Sequence, residues 1–139
     1  MCTSFKVALL NGEMDFSSDT SQSFKIALYT SDATLNAETT AYSTTNETSG
    51  TGYTAGGNTL TIATNPTNDT SSTVAYLDFS DTTWTSSSIT ARGALIYKTG
   101  GTTPAVAVLD FGSDKTTSSS TFTVTFPTSA ATSAIIRIA

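Results

Sequence analysis

Apolar and polar residues alternate with a period of two along most of this chain. In 23–30, Phe24, Ile26 and Leu28 fall on one side, and Lys25 and Tyr29 on the other. That is the signature of a strand with one face on a core. Further strands are predicted at 59–64, closed by Asn65-Pro66, at 73–79, at 88–97 and at 104–111. The clearest alternation is at 121–126, with Phe122, Val124 and Phe126 inward and threonines outward. A short apolar strand, 134–138, comes last; left unpaired it would be a sticky edge. Only residues 4–12 read as a helix, with Ser4 as cap, Gly12 as stop and Phe5, Ala8 and Leu9 on one face. So short a helix is marginal alone and has to dock.

Between these elements lie polar connections. Residues 13–22 form a loop, 98–102 have the composition of a hairpin turn, and 112–120 read as a polar turn. Residues 31–58 are long for a structureless loop, so either a short edge strand lies near Thr45–Thr48, the favoured reading, or the loop is an exposed functional surface; Tyr42 and Tyr53 are its expected anchors. The stretch from Asp78 to Lys98 is the organising one. It reads as a polar corner holding Trp84, the only tryptophan, then a central strand that starts near Ile89 and carries Arg92 and Tyr97. Trp84, Arg92 and Tyr97 are its expected structural anchors.

Strands at this spacing without helical periodicity between them predict an all-β fold. The expected architecture is an antiparallel β-sandwich with one short N-terminal helix, in a single domain over 1–139. Pattern alone does not separate a jelly-roll from other sandwich orders.

Composition narrows the function. Ser and Thr make up more than a third of the chain, yet apolar runs interrupt them too regularly for a disordered stalk. Charge is sparse and the net charge is −5. This disfavours nucleic-acid partners and anionic membrane surfaces, which need basic patches. A single cysteine, Cys2, allows no intrachain disulfide. There is no apolar leader and no run long enough to span a bilayer, so folding in a cytoplasm is expected. Asn46-Glu47-Thr48 and Asn68-Asp69-Thr70 match the glycosylation pattern and are read as turn chemistry.

Catalytic chemistry finds little support. Histidine is absent, which removes the usual general base and the commonest zinc ligand. No nucleophile elbow or phosphate-binding loop occurs. The repeated Leu77-Asp78-Phe79 and Leu109-Asp110-Phe111 admit a calcium-binding reading, but similar strand ends with Asp accepting backbone hydrogen bonds is the better one. Arg92 is expected to pair with a nearby Asp or to lay its stem on an aromatic ring. The expectation is a non-enzyme without cofactor or metal, working through its surfaces.

Several segments together resemble a known family. They are Cys2-Thr3-Ser4-Phe5-Lys6, Phe24 to Ser31, Thr39-Thr40-Ala41-Tyr42 and Gly50 to Gly57, then Asp81-Thr82-Thr83-Trp84, Ala91 to Tyr97 and Leu109 to Lys115. Taken in order, they look like a family of small structural proteins of tailed bacteriophages, described as capsid decoration (cement) or tail-fibre-like proteins. The resemblance implies a virion part on the outer capsid surface, assembled in the host cytoplasm. Its implied partners are the major capsid protein and further copies of itself, as a trimer. It brings no catalytic or metal residue. On this reading Phe5 and Leu9 of the helix, with Ile135, Ile136 and Arg137, are the expected capsid or subunit contacts. A host-binding tail or fibre module is the alternative; a glycan depolymerase is a third and weaker one.

Overall fold

All nine strands of this protein pair antiparallel, in three sheets. A computed structural model describes residues 1–139. One helix, α1 (Thr3–Leu10), precedes β1 (Phe24–Tyr29), β2 (Asn58–Leu60), β3 (Ile62–Asn68), β4 (Ala75–Phe79), β5 (Thr82–Ser87), β6 (Thr90–Lys98), β7 (Ala105–Thr116), β8 (Ser120–Val124) and β9 (Ile136–Ile138). The sheets run β2-β1-β6-β7, β3-β4-β9 and β5-β8. Their apolar faces meet in one core cluster, so the fold is all-β and sandwich-like, as the alternation predicts.

The central strands of the four-stranded sheet, β1 and β6, are buried on both faces. Cross-strand pairing puts Ile26 with Ile96 and Leu28 with Ala94 on one face, and Ala27 with Leu95 and Lys25 with Tyr97 on the other. The first face meets the smaller sheets: Phe24 stacks on Phe16 at 4.3 Å and lies 6.3 Å from Phe79. The second face is covered by 31–58. Tyr29 does point away from Leu28, as the alternation implies, but it points into this cover and is buried.

Several boundaries differ from expectation, each for a local reason. The helix begins at Thr3, not Ser4, and its cap residue Cys2 makes no side-chain cap bond. The backbone replaces it: the Thr3 amide donates to the Ala37 carbonyl, and the Cys2 amide to Val106 on β7. The segment 59–64 is not one strand. It breaks at Thr61, where the chain passes from one sheet to the next, and β3 runs on through Pro66. Pro66 is tolerated because β3 is an edge strand and the register slips between Thr64 and Thr67.

The polar corner around Trp84 is itself a strand, β5. Its inward positions are Thr82, Trp84 and Ser87, and a bulge at Ser86 (φ +49°) interrupts the alternation. The predicted turn at 112–120 is mostly strand as well. Strand β7 continues to Thr116, and four of its residues, 111–114, bulge opposite the single residue Arg92. No edge strand forms at 45–48; Glu47 makes only an isolated bridge with Tyr29.

Candidate functional site

Apolar side chains left in water concentrate on the two ends of the chain. The large hydrophobics that are exposed are Met1, Val7 and Leu10 at α1, and Ile138 on β9. Leu10 is 88% exposed and Val7 55%. Helix α1 buries only Phe5 and Ala8 and leaves the apolar Val7 and Leu10 in water. Between α1 and the β4–β9 pair opens an apolar groove of about 300 Å³, walled by Leu9, Tyr76 and Ile138 among others. The fold therefore brings the two expected contact elements to one opening.

Within those elements the expected residues divide. Phe5 is 1% exposed and Ile136 2%; both are core residues, and they reach the surface only as part of the groove lining. Phe5 packs edge-on against Phe16, and Ile136 sits opposite Leu77 in the β4–β9 ladder. Leu9 and Ile135 are half-buried against the core. Arg137 is exposed, but its guanidinium donates to the carbonyls of Ala131 and Thr132 in its own chain. Leu10, Val7 and Ile138 are the side chains free to meet a partner. The expected contact face was that of Phe5 and Leu9, which the fold instead turns toward its own core.

The three anchor residues lie apart. Trp84 is buried between Tyr53 and Phe122, each with ring centroids 6.0 Å away. Arg92 Nε is 3.2 Å from Asp110 Oδ1, and both side chains are well exposed. The Gly112 amide, and after it Arg92, hold Asp110 below the usual carboxylate range. Tyr97 is buried and donates its hydroxyl to the Gly56 carbonyl at 2.8 Å.

Around Tyr97 the expected anchors Tyr42 and Tyr53 do hold 31–58, through a polar hub on Glu47 that the sequence pattern did not indicate. Glu47 accepts hydrogen bonds from Tyr42 at 2.7 Å, Tyr53 at 2.6 Å and the Gly56 amide at 2.7 Å. Tyr42 stacks on Tyr97 at 4.6 Å, the Tyr53 hydroxyl accepts from the Leu28 amide, and Tyr29 donates to the Ser43 carbonyl. Burial, then the bond to Glu47, pushes the Tyr42 and Tyr53 hydroxyls well above their ordinary range. Burial pushes Tyr29 up to about 12. One carboxylate thus ties 31–58 to the sheet where a strand was expected to. Glu47→Ala is expected to cost about 3 kcal/mol, since it leaves two tyrosine donors and an amide without their charged acceptor. Glu47→Gln should cost about half as much. Urea denaturation measures both, with the exposed Glu38→Ala as reference; equal losses for Glu47→Ala and Glu38→Ala would dismiss the hub.

The two Leu-Asp-Phe segments do not converge on an ion site. Asp78 is buried whereas Asp110 is exposed and paired with Arg92. No three Cys, Asp or Glu side chains gather in the arrangement a metal requires.

Geometry thus defines an all-β, sandwich-like module with an apolar opening at its α1–β9 end. Comparison with family models, with curated proteins and with solved structures found no match.

Proposed function

We propose that this protein is a bacteriophage virion component, a capsid decoration (cement) protein that binds the outer shell and stabilises capsomer junctions. The observation that carries the reading is the apolar groove between α1 and the β4–β9 pair, with Leu9 and the exposed Ile138 on its walls; Val7 and Leu10 of the same helix are exposed outside it. Exposed apolar side chains gathered in one region mark an interaction site more often than single ones scattered over a surface. The resemblance of the segments between Cys2 and Lys115 to phage structural proteins supplies the setting. The partner on this reading is the major capsid protein, and the working form is a homotrimer without cofactor.

Copy number per purified virion, measured against the major capsid protein, tests the assignment. A simple ratio to the capsid protein supports decoration. A few tens of copies would move the protein to the tail as a host-binding module, and absence from the particle would overturn the proposal. The contact surface is tested separately. Leu10→Asp combined with Ile138→Asp should weaken capsid binding by about tenfold or more while leaving the fold intact, because both side chains are exposed. Unchanged binding would remove α1 and β9 from the interface.

A further inference from the structure

The outer face of β4 is covered by the protein's own chain. Leu77 and Phe79 point into the core, so Asp78 between them points outward, yet it is only 2% exposed. The segment 127–135, between β8 and β9, meets this face at Thr64 of β3, through Ser129, and at Asp78 itself, which the Ile135 amide approaches. Ala131 and Ala134 of this segment are buried but stand outside the main core cluster. Ser129 donates to the Thr64 hydroxyl at 2.8 Å, and Thr64 lies opposite Asp78 in the β3–β4 register. Arg137 clamps the segment by donating to the carbonyls of Ala131 and Thr132. Beneath it, Asp78 Oδ1 accepts the Phe79 amide at 2.9 Å, and Oδ2 is buried without a hydrogen-bond partner.

We propose that 127–138 is a pH-governed strap, which lies on β4 while Asp78 is protonated and lifts more often, carrying β9 with it, once Asp78 is ionised. The proposal is independent of the virion reading. A buried carboxylate with one unpartnered oxygen costs far more when charged than when neutral. No cation relieves it. Strand β3 and residues 127–136 bear no charged side chain, and Arg137, the one charge of the strap, is turned to the carbonyls of Ala131 and Thr132. The one ion pair of the fold is Arg92–Asp110. Tyr76, on the same face, spends its hydroxyl on Asp69, and Asp81 beyond β4 adds a like charge. Burial pushes the Asp78 carboxyl above its usual range, against the pull of the hydrogen-bonded Phe79 amide and of the Ile135 amide, which comes near without completing a hydrogen bond.

The direction of the effect follows from linkage. With the strap lifted, water reaches Asp78 and its proton leaves near the ordinary value, about pH 4. With the strap down, the proton is held to higher pH. Docking is therefore most favoured below about pH 4 and weakens as pH rises through the elevated value.

Hydrogen exchange of the 134–138 amides, from about pH 4 to about pH 8 and corrected for intrinsic rates, is the test. The opening constant of these amides should rise severalfold and then level off. In Asp78→Asn it should be flat, and in Asp81→Asn the rise should persist. Amides of β6 should stay far better protected, which assigns the opening to the strap. A flat wild-type profile, a rise that survives in Asp78→Asn, or strap protection equal to that of β6 would overturn the proposal. If Asp78→Asn does not fold, the wild-type midpoint decides: it must coincide with the titration of the Asp78 carboxyl carbon followed by NMR, and a midpoint elsewhere overturns it.

Discussion

Replacing Gly57 by alanine is expected to cost about 4 kcal/mol or more, the largest loss from any single methyl added to this protein. Gly57 ends the 31–58 connection and delivers the chain to β2. Its φ is +67°, and a Cβ built there would lie 1.8 Å from the Ile26 carbonyl oxygen and 2.8 Å from the Ala27 Cα. Those atoms are backbone of β1, the strand that pairs with β2 through Ile26 and Asn58. Nothing flexible can give way, so β2 has to leave β1 or β1 has to bend. Either movement disturbs neighbouring Gly56, whose amide and carbonyl join the Glu47 hub to Tyr97. Gly100→Ala separates the two causes. Gly100 has a similar φ of +79° with nothing within 4 Å of the added carbon. It should lose only the left-handed backbone term, about 1 kcal/mol. Chemical denaturation of both variants measures the difference, and equal losses would show that β1 yields to the added methyl.

Trp84→Ala is expected to cost about 4 kcal/mol, and Trp84→Phe less than half of that. The indole is buried where β5 turns its inner face to the core, with Phe122 edge-on at an interplanar angle of 77°. Alanine would leave a cavity that two neighbouring rings cannot fill together, since Tyr53 is held by Glu47 and the Leu28 amide. Phenylalanine keeps most of the ring contact. It also removes a liability, because Trp84 Nε1 is a buried donor without a partner. Deleting an unsatisfied donor returns part of its desolvation cost, about 1 kcal/mol or more. Thermal unfolding of the two variants checks the order. A Trp84→Ala loss below about 1 kcal/mol would remove Trp84 as an anchor of the β5–β8 sheet.

Both predictions concern the same design problem. The central strands β1 and β6 are buried on two faces, but the chain supplies sheet for only one of them. The other is covered by a connection with little apolar content, so polar groups hold it down. The Glu47 hub is the chief device, and glycines permit the close approach. This arrangement leaves the α1–β9 end as the place where apolar side chains stay in water.

Local pattern determined a good deal of this. The alternation of Phe122, Val124 and Phe126 with threonines identifies an inward face without any knowledge of the partner strand, because side chains alternate with the backbone pleat. The same rule sets Phe24, Ile26 and Leu28 against Lys25 and Tyr29, and with the spacing of the strands it establishes the all-β, sandwich-like class. What it could not decide was which polar residues would be drawn inside. Thr82, Ser87 and Asp78 are buried because neighbouring segments cover them, and no period in the sequence reports that cover. Strand β5 was hidden for this reason, and so was the role of Glu47, whose partners lie 5, 6 and 9 residues away in an irregular loop. The candidate site shows the same division. The sequence pointed to the two contact elements, but only packing decided that Phe5 and Ile136 face the core while Leu10 and Ile138 face solvent. The helical period put Phe5, Ala8 and Leu9 on one face, but whether that face meets the protein's own core or a partner belongs to the tertiary structure, because apolar Val7 and Leu10 lie outside it and either side could have docked.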